Sequence, residues 1–203
     1  MIVDEIGYID QDHPWDLLQR VRDSVFHITS EDAFDQIRAD GFVRHNKDQK
    51  FALNAASENS FGRNRGWVCL FDLRNRSEAT IEETLIRHNF LEPSWFTRHH
   101  PDYTESRLAY LFVAPEAYGE IVPSETAKRA WTQTNRHEQY VPETECWYPG
   151  DMPLNNVERA LIVTICKSAP KDNPFLYAHH RRAVEGERKK SSGRSAGLAE
   201  SRD

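Results

Sequence analysis

The chain has 203 residues, a mass of 23.6 kDa and a formal net charge of −6 at pH 7. This length suits one domain with a sizeable core, and a pI of about 5.9 argues against a protein that binds nucleic acid through its whole surface. There is no recognisable signal peptide and no apolar run near the roughly twenty residues of a membrane-spanning helix. We therefore expect a soluble, cytoplasmic protein without membrane contact.

The first recognisable unit is a strand followed by a short helix. An amphipathic helix around residues 14–21 leads into an apolar, β-branched run at 25–29, which predicts a strand. Ser30 is a good helix N-cap, with acidic residues behind it where the helix dipole favours them. Gly41 supplies the left-handed residue that ends such a helix. We expect a helix of about ten residues between them.

Two polar side chains share one face of this predicted strand. His27 and Thr29 lie two residues apart, and side chains in a strand alternate between its faces. One interpretation is structural, with His27 bonded to a neighbouring carbonyl and Thr29 present as a strand former. The other is that the pair contacts a ligand. The strand alone leaves both open.

Residues 57–66 combine two glycines and two arginines with Ser and Asn. This composition is typical of a mobile surface loop. It also suits a loop that contacts phosphates, because Arg63 and Arg65 can each offer a bidentate fork and glycine allows close backbone approach. No Walker or dinucleotide-type glycine motif occurs anywhere in the chain.

Strands and helices alternate through the middle of the chain. Apolar runs predict strands at 67–73, 108–113 and 160–166, and helices are predicted from Ser77 to about residue 90 and from Ser124 onward. The segment 92–107 is irregular and contains His99 and His100. Adjacent histidines point to opposite sides of an extended chain and no nearby Cys completes a ligand set, so a zinc site is disfavoured there.

Two glutamates precede the last predicted strand. Glu143 and Glu145 are two residues apart in a segment, 141–149, that we expect to be extended, so both carboxylates should project from one face. Like charges side by side cost stability unless they are solvated or used. An acidic, solvent-exposed edge strand is the simpler interpretation, and a catalytic pair is the other.

The two motifs together resemble the ADP-ribosyltransferase fold. His27-x-Thr29 on an early strand and Glu143-x-Glu145 before a late strand stand in that family's order. The run from Glu145 to Leu154, Glu-Cys-Trp-Tyr-Pro-Gly-Asp-Met-Pro-Leu, is similar to the late region of the DNA-modifying ADP-ribosyltransferase toxins. The resemblance covers about 25–166 and implies an α+β fold with split central β-sheets, an NAD cleft and short flanking helices.

The resemblance also implies roles for individual residues. Breaking the nicotinamide–ribose bond develops positive charge on the ribose, which the carboxylate of Glu145 would stabilise. Glu143 would accept a proton from the acceptor. NAD would be held by the side chains of His27 and Thr29, the backbone of Ile28, and Arg63 or Arg65 at the pyrophosphate. The family's Ser-Thr-Ser triplet is absent, and the aromatic residue that stacks on nicotinamide could be Phe61, Trp67 or Tyr110. No metal is implied.

We therefore expect an NAD-dependent ADP-ribosyltransferase that moves ADP-ribose to a macromolecular acceptor, nucleic acid or protein, as a toxin or defence effector would, with a neutralising partner protein. The alternatives are an RNA 2′-phosphotransferase-like enzyme on the same fold and a non-catalytic nucleotide-binding or interaction module.

The domain is expected at 1–180. Residues 181–203 are basic, rich in Ser and Gly and nearly free of apolar residues, which predicts a disordered tail.

Overall fold

The computed structural model describes residues 1–10, 15–51, 53, 55–88, 91, 105–134 and 137–166. The predicted tail at 181–203, the end of the domain at 180 and the pair His99–His100 lie outside them. In chain order the elements are β1 (Ile2–Asp10), α1 (Trp15–Val21), β2 (Val25–Ser30), α2 (Glu31–Asp40), β3 (Phe42–Val43), α3 (Ala55–Glu58), α4 (Phe61–Asn64), β4 (Trp67–Asp72), α5 (Glu78–His88), β5 (Glu105–Val113), α6 (Ser124–Thr134), β6 (Glu145–Pro149), β7 (Met152–Pro153) and β8 (Val157–Cys166).

Six of the strands form one mixed sheet in the order β1-β8-β5-β2-β4-β6. The pair β1–β8 is parallel, and the other pairs are antiparallel. Strands β3 and β7 form a separate antiparallel pair. The chain is therefore of the predicted α+β class, and the strand that carries His27 lies inside the main sheet.

The turn from β2 into α2 follows the local sequence closely. The Ser30 backbone is extended, and its hydroxyl accepts a hydrogen bond of 3.2 Å from the Ala33 N–H. At the other end Gly41 has φ +78°, and its N–H donates to the Ile37 carbonyl. Both predicted ends of the helix are confirmed, because a cap and a left-handed glycine act on the backbone beside them.

Apolar side chains cover both faces of the sheet. One cluster joins the sheet to α1 and α5 and includes Leu17, Phe26, Leu85, Tyr110 and Phe112. A second cluster joins it to α2 and the β7 region and includes Val25, Phe34, Leu111, Met152 and Val157. A third, smaller cluster beside β6 consists of Phe61, Ala127, Tyr140 and Trp147, with Trp67, Cys69 and Trp131 packed against it. This third cluster surrounds the candidate site.

Three details differ from the sequence-based expectations. Residues 2–10 form an edge strand where no regular element was expected; Ile2 and Val3 are exposed there, so the apolar pattern carried no signal. Strand β8 begins at Val157, before the predicted residue 160. The interpretation of 57–66 as a mobile surface loop is wrong, because short helices occupy much of it and Phe61 is fully buried.

Candidate functional site

The main sheet opens beside the strand that carries His27. Strands β2 and β4 pair only at Val25–Asp72 and Phe26–Phe71, and from His27 onward no ladder joins them. Strand β4 nevertheless stays paired with β6 from Trp67 to Phe71. The sheet therefore splits between β2 and β4, and His27 is the first residue of β2 at the split.

The imidazole of His27 bridges this split. Its Nδ1 lies 2.9 Å from the carbonyl oxygen of Cys69 on β4. A carbonyl only accepts, so Nδ1 carries the proton in the neutral ring and Nε2 keeps a free lone pair. Burial lowers the pKa of His27, with the hydrogen bond to Cys69 acting in the opposite direction, so the neutral form is favoured. The structural interpretation, a bond to a neighbouring carbonyl, is thus confirmed for Nδ1.

The other two residues of the His27 motif are backbone-paired and buried. Ile28 lies opposite Tyr110 and Thr29 opposite Ala109 in the ladder with β5. The exposed fraction of Ile28 is 3% and that of Thr29 is 7%. These contacts stabilise the strand, and any contact with a nucleotide would come from the backbone edge that faces the split.

Glu145 is a buried carboxylate at the start of β6, with an exposed fraction of 5%. Its Oε1 accepts a hydrogen bond of 2.8 Å from the Trp147 indole, and its Oε2 accepts one of 2.7 Å from the Val141 N–H. Burial raises the pKa of Glu145 to about 7, while these two bonds and the Cys69 thiol act in the opposite direction. At neutral pH the group is therefore present in both its protonated and its ionised form.

Cys69 links the two motifs. Its carbonyl holds His27, and its side chain contacts the Glu145 carboxylate on the neighbouring strand. The thiol also lies 3.0 Å from the Ser60 hydroxyl. Burial and the nearby Glu145 raise the pKa of the Cys69 thiol, so it stays protonated and can donate. One residue of β4 therefore connects the imidazole to the carboxylate.

Glu143 does not share a face with Glu145. It lies in a turn with φ +68°, and the strand begins only at Glu145, whose N–H donates to the Val141 carbonyl. The Glu143 carboxylate is half exposed and forms an ion pair with Lys128. The expectation of an extended segment is wrong here, because the turn directs one carboxylate to the surface and the other into the core.

The two arginines have different surroundings. Arg63 is buried, and its guanidinium donates to the carbonyls of Ser57, Asn46 and Glu58 and to the Asn64 side chain. It joins Asn46 to α3 and α4. Arg65 is partly exposed; it donates to the Phe61 carbonyl and pairs with Glu138, and its guanidinium lies 3.3 Å over the Phe61 ring. Of the two, Arg65 is the better placed to meet an anion.

The three aromatic candidates are also distinguished. Phe61 and Tyr110 are fully buried, whereas Trp67 is half-buried and its ring stacks on Trp147 at 5.0 Å. Trp147 also donates a hydrogen bond to Glu145, so Trp67 lies close to the carboxylate. Trp67 is therefore the candidate whose face can reach a ligand.

The resemblance to the ADP-ribosyltransferase fold also implies that His27 and Glu145 lie on adjacent central strands. This expectation is wrong, because β4 lies between β2 and β6. The ladder pairs Phe26 with Phe71 and Phe71 with Glu145, so a continuous sheet would place His27 on the opposite face from Glu145. The ladder ends at that point, and the imidazole Nδ1 bonds the Cys69 carbonyl across the split. A cleft shared by the two side chains stays a prediction.

Sequence reasoning missed Cys69, Trp147 and Ser60, which complete the surroundings of Glu145. The signal for Trp147 was present: it lies two residues after Glu145 in a strand, so it must share that face. The other two come from a different strand and a loop, and no local pattern relates them to Glu145. Among the described residues no group of three or more His, Cys, Asp or Glu is placed to hold a metal ion.

Comparisons of the chain with protein-family models, with curated proteins and with solved structures gave no match. Among the helices that the structure describes, none has the length and apolar character needed to cross a bilayer.

Proposed function

We propose that this protein is an NAD-dependent ADP-ribosyltransferase that acts on a macromolecular acceptor, nucleic acid or protein. The observation that carries the proposal is the opening of the sheet at His27, where Cys69 connects the imidazole to the buried carboxylate of Glu145. The order of the two motifs and the α+β class agree with it.

NAD binding would use polar groups that still have free hydrogen-bonding positions, together with two partly exposed side chains. The Nε2 atom of His27 has no partner among the described residues and can accept a hydrogen bond from a ribose hydroxyl. The β2 edge at Ile28 and Thr29 has no ladder partner on the side of the split, so its backbone can bond the carboxamide. Arg65 would meet the pyrophosphate, and the half-buried face of Trp67 would meet the nicotinamide ring.

The chemical half rests on Glu145. The bond between C1′ of the ribose and the nicotinamide nitrogen breaks, and its electron pair leaves with nicotinamide. The ionised carboxylate beside the ribose stabilises the positive charge that develops, and a site that excludes water strengthens this effect. The acceptor's nucleophile then bonds to C1′, and its proton passes to the half-exposed Glu143.

A second candidate is a non-catalytic nucleotide-binding or interaction module. Two observations favour it. Glu145 is only 5% exposed, and the Arg63 guanidinium already bonds backbone carbonyls and the Asn64 side chain. In that case the carboxylate organises the core beside β6 and takes no part in a reaction. Binding of NAD without its consumption would distinguish this module from the enzyme.

The test is incubation of the purified chain with NAD labelled in the adenylate, together with a cell extract. Transfer should put label into material that either nuclease or protease releases, which also identifies the acceptor class. Glu145→Gln should lose the label, and Glu116→Gln, a change on the exposed 3₁₀ turn Pro115–Glu120, should keep it. No labelled product from the unaltered chain, with NAD still bound, would overturn the enzyme proposal.

A further inference from the structure

We propose that Trp147 is the positioning residue of this site: its indole N–H and the Val141 N–H fix the plane of the Glu145 carboxylate toward the proposed ribose position. The chemical consequence rests on the proposed function, whereas the contact itself does not. Trp147 is argued to act through Glu145 and is not assigned any contact with a substrate.

The two donors bind opposite oxygens of the carboxylate. Trp147 Nε1 lies 2.8 Å from Oε1, and the Val141 nitrogen lies 2.7 Å from Oε2. One bond to each oxygen prevents rotation of the carboxylate about its last torsion. The Cys69 thiol is a third donor to the group. A carboxylate has about four acceptor positions, so one remains for a ribose hydroxyl.

Trp147 is itself held on every side. Its ring centroid lies 5.2 Å from that of Phe61, 5.0 Å from Trp67 and 5.7 Å from Tyr140. Its backbone exchanges hydrogen bonds of 3.1 and 2.8 Å with Val122. The indole therefore has no space to adopt another rotamer, and its N–H points at Glu145 before any ligand binds.

Gly62 on α4 gives a second, independent sign of this packing. A Cβ at this position would lie 2.8 Å from Trp147 Cδ1 and Nε1 and equally close to the Cys69 sulfur. Real Cβ atoms do not approach that closely, so any larger residue would push the indole or the thiol away from Glu145. The helix backbone thus approaches the positioning contact as closely as a glycine allows.

Four titratable groups close to Glu145 have pKa values that are shifted away from pH 7. Burial raises the pKa of the thiols of Cys69 and Cys146 and of the Tyr140 phenol, so all three titrate above neutral pH. His27, held by the Cys69 carbonyl, has a lowered pKa and is neutral there. A change near pH 7 in the surroundings of Trp147 that Glu145→Gln abolishes therefore reports Glu145.

Trp147→Phe tests the proposal, because phenylalanine keeps a ring in the cluster but removes the donor. The matched control is Trp131→Phe, whose indole N–H donates at 2.9 Å to the Glu138 carbonyl beside the same cluster. The titration midpoint of Glu145 is obtained from the pH dependence of stability of each variant relative to the same variant carrying Glu145→Gln. We expect Trp147→Phe to raise the midpoint by about one pH unit and Trp131→Phe to leave it unchanged.

The activity readout separates positioning from a purely structural role. The acidic limb of the pH profile of NAD consumption should move with the Glu145 midpoint in Trp147→Phe, with kcat falling and KM nearly constant. If the Glu145 midpoint and the acidic limb of the pH profile in Trp147→Phe equal those of the unaltered protein, the proposal is overturned. An inactive starting protein in which the Glu145 midpoint still moves would overturn the proposed function while supporting the positioning contact.

A measurement on the unaltered chain covers the case in which Trp147→Phe does not fold. With ¹⁵N-labelled indoles, one of the five tryptophan N–H signals should shift with a midpoint near 7, and that shift should disappear in Glu145→Gln. If no indole signal titrates in this range, or if the shift persists in Glu145→Gln, the contact is not the one proposed.

Discussion

Replacing Glu145 by glutamine should change how the stability of the protein depends on pH. Burial raises the pKa of Glu145 from its ordinary 4.5 to about 7. Between these two values the folded protein holds a proton that the unfolded chain has released, so the free energy of unfolding falls as the pH rises. The group's contribution is fully present below about pH 4.5 and is lost above about pH 7.

The size of the effect follows from the same numbers. A pKa raised from 4.5 to about 7 corresponds to roughly 3 kcal/mol between the two pH limits. For a chain of this length, that is roughly 6–12 °C in the unfolding midpoint. Glutamine cannot titrate, so the stability of Glu145→Gln relative to the unaltered protein should improve by this amount from pH 4.5 to pH 8.

The structure also predicts which of the two proteins is more stable at low pH. The glutamine amide can accept from only one of Trp147 and Val141 and must face the other N–H with its own amide hydrogens. Facing donors cost about 1–3 kcal/mol, so Glu145→Gln should be the less stable protein at pH 4.5. The two stability curves should therefore cross as the pH rises.

The assay is thermal and urea unfolding at half-unit steps from pH 4.5 to pH 8. The lowered pKa of His27 and those of Asp151 and Glu138 also give stability a pH dependence, but both proteins retain these groups, so they cancel in the difference. Glu143→Gln is the control, since its half-exposed carboxylate pairs with Lys128 at the surface. Parallel stability curves for the unaltered protein and Glu145→Gln would show that the pKa of Glu145 is not raised on folding.

Glu145→Gln should reduce both ADP-ribose transfer and NAD hydrolysis by about 10²–10³-fold, whereas Glu143→Gln should reduce transfer and spare hydrolysis, as product analysis by chromatography would show; equal losses in both would contradict the division of roles. Gly62→Ala should cost about 1–3 kcal/mol in urea unfolding through overpacking against Trp147, and Gly119→Ala, where a Cβ meets nothing within 4 Å, should not. Deletion of residues 181–203 should leave the thermal midpoint almost unchanged because the segment is nearly free of apolar residues, and a drop of many degrees would contradict this.

The sequence predicted those elements whose signals are local. Helix α2 has a capping serine at one end and a left-handed glycine at the other, and both act on the backbone beside them. The strands at 67–71 and 108–113 are continuous apolar runs, so their type was also clear. None of these predictions required knowledge of a distant partner.

The site was predictable only in part, because its geometry depends on contacts between distant segments. Spacing suggested that Glu143 and Glu145 share a face. The turn at Glu143 has a positive φ, however, and a glutamate in the sequence does not predict such a conformation. Arg63 looked like a phosphate contact because its neighbours are polar, yet it is buried and bonded to three carbonyls. The signal that could have indicated this was Ser60 as an N-cap followed directly by the apolar Phe61.

The burial of Glu145 is itself an argument about its role. A carboxylate in the core loses its hydration, and an apolar side chain of similar volume usually gives equal or greater stability at such a position. Here the cost at neutral pH is offset in part by an indole N–H, a backbone N–H and a thiol, all directed at one group. A cluster selected only for stability would need neither the carboxylate nor the donors. A carboxylate that must stabilise developing positive charge away from water needs both, since fixed donors hold it in place and low polarity strengthens its field.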